Sequence, residues 1–263
     1  MLSYQHIYHA GNLADVHKHS MLAWALSYMT RKDKPLSYLE THAGRGLYDL
    51  QDEAALKTGE AAKGIAFAQD WFAADHPYAQ VLGRIHAKHG PNAYPGSPLV
   101  AAESLRNLDT IHLSELHPQE FAALKENMAP YGGIYRQKDG WEMAMSLCPP
   151  DPRRGLLLID PSFEVKSDYQ TIPQTIAKLH RKWGVGVIML WYPILTDAPH
   201  KPMIKELQTA LPDAVTHEVF FPPARPGHRM VGSGLFVVNA PYGFIEEGAR
   251  LSSLFQDKLS HLM

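Results

Sequence analysis

The sequence predicts an α/β fold: a mostly parallel seven-stranded sheet that ends in an antiparallel hairpin, with a small helical insertion. Three observations carry this. Residues 156–159, LLLI, form an unbroken apolar run closed by Asp160-Pro161. Such a run suits a strand buried on both faces, and proline, which cannot donate to a ladder, stops it. From Glu115 onward, β-rich and helix-periodic stretches alternate, as parallel sheets require. The last two β-rich runs, 215–221 and 234–239, are joined by PPARPGHRMVGS, which has no room for a crossover helix, so they pair antiparallel.

Composition sets the outer bounds. The chain has 263 residues, 45% hydrophobic and 20% charged, enough for one large domain with a sizeable core. Cys148 is the single cysteine, so an internal disulfide is impossible and a reducing cytoplasm fits. The N-terminal segment does not read as a signal peptide, and no apolar run approaches the roughly 20 residues of a membrane span. A net charge of −2 does not mark a general nucleic-acid binder, so any such contact calls for a local patch.

In chain order, residues 1–12 read as an irregular arm bearing Tyr4, His6, Tyr8 and His9. Asn12 and Asp15 have capping-box-like spacing for a helix over 13–29. His17, Lys18 and His19 fall in its second turn, either as a polar face or as a phosphate- or cofactor-facing arm. A metal site from His6, His9, His17 and His19 is a third reading. Imidazoles two positions apart on a helix point about 200° apart, which suits chelation poorly, and no metal is assigned.

A first strand at 36–40 runs into Thr41-His42-Ala43-Gly44-Arg45-Gly46, where glycines let a ligand approach the backbone. The turn lacks the full GxGxxG pattern, which argues against a dinucleotide. No acidic residue ends a second strand roughly 20 residues on. Helical periodicity instead fills 61–71 and 78–89, YPGSP closes the segment, and the strand arrives at 110–113, before Ser114-Glu115. Residues 51–93 therefore read as an inserted helical subdomain, with 1–50 and 94–263 as the main domain. Beyond Glu115, helices are expected over 118–128, 141–147, 169–183, 202–211 and 245–261. Strands are expected over 134–137, up to Asp160, and over 185–191, the last ending at Tyr192-Pro193.

Asp160-Pro161-Ser162-Phe163 resembles the Asp/Asn-Pro-Pro-aromatic signature of amino-group methyltransferases, with Ser162 in place of the second proline. The plain alternative is that Asp160 caps a turn and Phe163 is core. The arm YQHIYHAGNLADVHKH, the strand exit ETHAGRG, then YPGSP, SELHP and IDPSF closely resemble, nearly end to end, the bacterial 23S rRNA adenine-N6 methyltransferase family called large-subunit methyltransferase J. That family is also described as involved in the catabolism of external DNA. The resemblance implies a Rossmann-like methyltransferase domain with a small helical insertion, using S-adenosyl-L-methionine. It implies cofactor contacts from His19, His42, Ser97, Glu115, Asp139, Gly140 and Asp160. Asp160 is then the catalytic carboxylate, with Tyr4 and Phe163 beside the target base. Physical reasoning supports part of this set. Glu115 ends a strand beside the glycine turn, where an acid can bind both ribose hydroxyls, and Asp139 ends the next strand. Ser97 and Gly140 rest on the resemblance alone.

The expected reaction is methylation of N6 of an adenine in 23S rRNA, by a cytoplasmic monomer with no obligate protein partner. Cations for phosphates are available at Arg45, Lys18, Lys57, Lys63, Arg225 and Arg229, of which Lys57 and Lys63 read as solvated surface charges. Two alternatives stand beside it: a DNA adenine methyltransferase, and a non-enzymatic nucleic-acid-binding protein for use of external DNA with a site decayed at Ser162. The intact set of Glu115, Asp139 and Asp160 argues against decay.

Overall fold

A computed structural model describes residues 5–260. A 3-10 turn at His6–Tyr8 leads into α1 (Leu13–Thr30). β1 (Ser37–Glu40) and β2 (Leu47–Asp49) follow. The chain then passes through α2 (Glu53–Thr58), α3 (Glu60–Lys63), α4 (Ile65–Ala68) and α5 (Pro77–His89) to β3 (Ala93–Pro95) and α6 (Ser97–Ser104). Next come β4 (Thr110–Ser114), α7 (Pro118–Met128), β5 (Ile134–Arg136), α8 (Gly140–Leu147), β6 (Gly155–Ile159) and α9 (Asp168–Lys182). β7 (Val187–Leu195), α10 (His200–Ala210), β8 (Val215–Phe220), β9 (Met230–Val238) and α11 (Phe244–Leu259) complete it.

The main sheet has seven strands in the order β5-β4-β1-β6-β7-β9-β8. β9 runs antiparallel to both neighbours, and the pairings among β5, β4, β1, β6 and β7 are parallel. The expected sheet and its closing hairpin are therefore present. From β1 the chain builds outward to β4 and β5, then returns to lay β6 on the other side of β1. The strand order reverses between β1 and β6, and ligands of open α/β sheets sit outside the carboxyl ends at such a reversal.

Alternation along β6 splits the core in two. Leu156 and Leu158 join Tyr38, Met189 and Leu235 under α1, while Leu157 and Ile159 join Leu39, Ile188 and Phe236 under α8, α9 and α10. α1 packs on α5, α6, α11 and β9. It is thus enclosed almost all round, and His17, Lys18 and His19 are 0%, 3% and 1% exposed. That overturns the reading of these three as a polar surface face.

Three further expectations change. The helix expected at 61–71 starts a residue early, at Glu60, is broken at Gly64 between α3 and α4, and stops at Ala68. Gly59 takes a left-handed φ of 64° as a helix cap, and a Cβ on Gly64 would lie 2.0 Å from the Gly11 carbonyl oxygen. Close passage under the N-terminal arm therefore replaces helical continuity. YPGSP is not merely a closing turn. Tyr94 sits in β3, which pairs with β2, and Ser97-Pro98 opens α6, where proline's missing N–H is no loss. β7 runs on through Pro193 to Leu195, because its register with β6 stops at Leu190 and only β9 flanks it beyond.

Asn12 caps α1 by accepting from Asp15 N at 2.9 Å, and its side-chain amide donates to the buried Glu60 at 3.1 Å. Asn12→Ala is expected to lower stability by about 2 kcal/mol, roughly half from the cap and half from the under-bonded Glu60. Urea unfolding with an unchanged m-value would measure it, and an unaltered midpoint would contradict this account.

Candidate active site

A cavity of about 800 Å³ opens where the strand order reverses, at the carboxyl ends of β1 and β6. Its walls bring together His19, His42, Ser97, Glu115, Asp139, Gly140, Asp160 and Phe163. Tyr4 lies outside the described residues.

The turn after β1 is built by backbone economy. Thr41 N donates to Leu158 O and Ala43 N to Ser114 O, which ties the turn to both flanking strands. Gly44 has φ of 60°, and its N–H donates to Glu115 Oε2 at 2.8 Å, while His117 N donates to Oε1 at 2.7 Å. Glu115 thus fixes the glycine turn and keeps lone pairs for a ligand. Burial raises its pKa. Asp139 caps α8 by accepting from Glu142 N at 3.0 Å. A Cβ on Gly140 would come within 2.0 Å of Thr41 O, so only glycine lets α8 start this close to β1. His42 Nδ1 lies 2.7 Å from the Thr41 hydroxyl, its ring meets Trp141 edge-on, and burial lowers its pKa.

Asp160 follows β6 and receives Lys18 Nζ at 2.5 Å. Lys18 also reaches Asp15 at 3.1 Å and lies 5.3 Å from the Trp191 ring centre. Burial works against the ammonium, but Asp160 and Asp15 outweigh it and raise its pKa. Asp15 in turn takes His6 Nε2 at 2.8 Å and the Gly11 N–H at 2.9 Å, which fastens the arm to the cavity wall. Lys18 is therefore spent on Asp160, and Arg45 is spent bidentately on the buried Glu120. Neither is the phosphate contact that the sequence suggested.

His19 Nδ1 lies 2.9 Å from the Tyr94 hydroxyl, and its buried Nε2 has no hydrogen-bond partner among the described residues. Burial pushes its pKa down to about 3, so it lines the cavity as a neutral ring. The four histidines weighed as a metal set diverge. His6 meets Asp15, His9 meets Glu60 at 3.1 Å, and His17 meets Ser233 and His217, each at 2.8 Å.

Two features escaped the sequence reading. The first is Glu40, fully buried at the end of β1. It accepts from the Ser97 hydroxyl and from the Tyr38 hydroxyl at 2.8 Å. Burial pushes its pKa up to about 8, against the pull of those hydroxyls. An acid closing a strand of otherwise buried type was the available signal. The second is Trp191, a cavity residue whose indole N–H donates to the buried Ser233 at 2.9 Å. Phe163 lies 8% exposed, its ring 4.8 Å from Tyr169 and 6.1 Å from Trp191. Its φ of 55° is left-handed, a rare state for an aromatic residue. The Ser162 hydroxyl accepts a long bond of 3.4 Å from Glu164 N within the turn.

Glu40 makes stability depend on pH in a defined sense. Its folded pKa is raised from 4.5 to about 8, so its contribution is full below 4.5 and is lost as pH rises through about 8. Relative to Glu40→Gln, the cofactor-free wild type is expected to lose melting temperature steadily between those limits. A difference that stays flat across the range would mean that Glu40 is ionised throughout.

Comparison with known proteins agrees with this geometry. The sequence model of the family described as ribosomal RNA large subunit methyltransferase D, RlmJ, matches residues 33–261. Ribosomal RNA large subunit methyltransferase J of Escherichia coli (strain K12) is 38% identical over 247 residues, covering 92% of this chain and 88% of the relative. The protein of the same name from Haemophilus influenzae is 35% identical over 250 residues, with the same coverage. The crystal structure of protein LPL1258 from Legionella pneumophila superposes with a TM-score of 0.87 at 34% identity, covering 95% of this chain and 94% of that one. The chain therefore belongs to the RlmJ family of ribosomal RNA large subunit methyltransferases.

Proposed function

We propose that the protein methylates N6 of an adenine in 23S rRNA, using S-adenosyl-L-methionine. The observation that carries this is Asp160, a carboxylate held by Lys18 at the strand-order reversal, inside a cavity large enough for a nucleoside-sized cofactor and a base. Membership of a family whose relatives are named for rRNA methylation supports the substrate class. The walls fit the cofactor chemically. The Gly44 turn offers close backbone approach, Glu115 offers acceptors for ribose hydroxyls, Asp139 an acceptor for an amino group, and His19 Nε2, 3.8 Å from Asp15 Oδ1, a ring nitrogen that no hydrogen bond among the described residues engages. When bound, the cofactor supplies a methyl already activated by its sulfonium.

The residues then have a positioning task. An adenine amino nitrogen is a weak nucleophile, because its lone pair is delocalised into the ring. Asp160 accepts a hydrogen bond from that amino group, favours the tetrahedral nitrogen and stabilises the positive charge that develops there. Lys18 fixes the carboxylate from behind, and the Trp191 and Phe163 rings wall the space for the base. Extruding the base from its stack costs a few kcal/mol, which ring contacts partly offset. Arg225 and Arg229 line the cavity from the β8–β9 loop; each meets a carboxylate, Glu60 at 3.6 Å and Asp197 at 2.5 Å, but unlike Lys18 both arginines are half or more exposed, so a phosphate can take the place of those solvent-screened pairs. We read residues 51–93 as an inserted lobe, α2 to α5 between β2 and the first residue of β3, and Glu60 from that lobe binds the arm through His9 and Asn12. We read the protein as a monomer that acts on 23S rRNA in the cytoplasm. No helix among the described residues is long and apolar enough to cross a membrane.

Radiolabelled methyl transfer to 23S rRNA and to DNA, with nucleoside analysis, tests the reading; label on DNA alone would replace it. Asp160→Ala is expected to stay folded and to lower transfer by roughly 10²–10⁴-fold; near-normal turnover would remove Asp160 from the chemistry. Glu115→Ala is expected to weaken cofactor binding by about 1.5–3 kcal/mol in calorimetry, the worth of hydrogen bonds to a charged group. An unchanged dissociation constant would place the ribose elsewhere.

A further inference from the structure

A second recess, of about 380 Å³, lies at the opposite edge of the sheet, beside Gly155 and Val187, the first residues of β6 and β7. Tyr28, Met29, Val185 and Pro241 wall it, and Arg31, Lys32 and Arg154 rim it. The carboxyl end of α1 points here and would repel anions. Two arginines cancel that. Arg106 donates to the carbonyls of Thr30 at 2.9 Å and Lys32 at 2.8 Å, and Arg154 to those of Met29 and, at 3.1 Å, Lys34.

With the helix end covered, the neighbouring cations are surplus. Arg31, Lys32 and Lys34 are exposed and have no carboxylate partner among the described residues. Asp109 is committed to Arg106 at 2.9 Å, which leaves Asp33 as the one acid in this stretch without such a partner. Aromatic rings adjoin the cations. Tyr242 is 82% exposed, with its ring centre 6.5 Å from that of Tyr28. Tyr28 stacks on Trp24 at 5.9 Å with planes 4° apart, and the Arg31 guanidinium lies 5.5 Å from the Tyr28 ring centre.

Cations beside the exposed ring of Tyr242 suit single-stranded nucleic acid: a base stacks on the ring and phosphates meet the charges. We infer that this recess is a second contact for the RNA substrate, holding an unpaired nucleotide on Tyr242, which Tyr28 backs, with its phosphates at Arg31, Lys32 and Lys34. The inference rests on the reading that the substrate is RNA. β6 separates the recess from Asp160 by five residues, roughly 16 Å at the usual strand rise. The contact therefore grips the strand away from the target adenine and adds to affinity, not to the chemical step.

The test uses the full chain, 23S rRNA transcribed in vitro, and two variants at exposed positions, Arg31→Ala/Lys32→Ala and Tyr242→Ala. For the double variant, the salt dependence of RNA binding is expected to become shallower by about 1.4 in log–log slope, with KM for RNA up roughly tenfold. For Tyr242→Ala, RNA affinity is expected to fall about 5- to 150-fold. In both, kcat and the dissociation constant for S-adenosyl-L-methionine stay at wild-type values. Wild-type RNA affinity and salt slope in both variants overturn the inference while methylation by the parent protein still stands. A parent protein that neither binds nor methylates 23S rRNA overturns the functional reading, and this inference with it. Titration with AMP alone separates the sources of the nucleotide. AMP binding lost in Tyr242→Ala without any change in RNA affinity would assign the recess to a free nucleotide and overturn the RNA contact.

Discussion

The ion pair between Lys18 and Asp160 is the constraint that the rest of the site depends on. It joins the first helix to the end of the central strand at 2.5 Å, with the lysine almost wholly buried. A buried ion pair adds little net stability, because desolvating both charges offsets their attraction. Its worth here is geometric. Lys18 can reach Asp160 only if α1 lies across the sheet's first face, and that position buries His17 and His19 as well. Asp15, the second acceptor of Lys18, then gathers His6 and the Gly11 N–H. One cation thus ties arm, helix and the end of β6 into a single body around the cavity.

A chain of hydrogen bonds extends that order to the far side of α1. The Trp191 indole can only donate, so Ser233 accepts from it and passes its own proton to His17 Nδ1. His17 Nε2 then donates to His217 Nδ1, and His217 Nε2 to Ser252 in α11. Every member is satisfied in this one direction with both imidazoles neutral. Burial supports that state by lowering both histidine pKa values. The indole that walls the cavity is thereby held by polar groups as well as by packing, and such fully satisfied buried networks specify a single arrangement.

Most of the fold was legible in the sequence because strand and helix periods differ and because prolines and glycines mark the ends. The run at 156–159, the regular alternation after Glu115 and the closing hairpin all stand where their patterns put them. Local pattern failed where distant chain decides. α3 ends at Gly64 because the arm passes 2.0 Å from a would-be Cβ, and nothing near residue 64 announces that contact. The cavity residues on strand ends were legible for the same reason as the strands. Lys18 and Glu40 were not. A lysine on a helix reads equally as a surface charge or a phosphate contact, and the acid that closes β1 gives only a weak signal, until tertiary contacts bury both; only the sum of those contacts distinguishes a buried brace from a solvated charge.

Ser162 shows how packing replaces covalent stiffness. A proline there would restrict its own φ and bias Pro161 toward extended backbone. Serine leaves both freer, and its one local bond, at 3.4 Å to Glu164 N, is too long to lock the turn. Yet Phe163 holds a left-handed φ that costs of order 1–3 kcal/mol and persists only where surroundings over-determine it. Those surroundings are the Tyr169 and Trp191 rings, one of them fixed by Ser233. The aim of the Asp160 loop is therefore set from the ring side, by Phe163 clamped in its pocket, and from the charge side, by Lys18. With both ends held, the missing proline removes a stiffener from a turn that no longer relies on it.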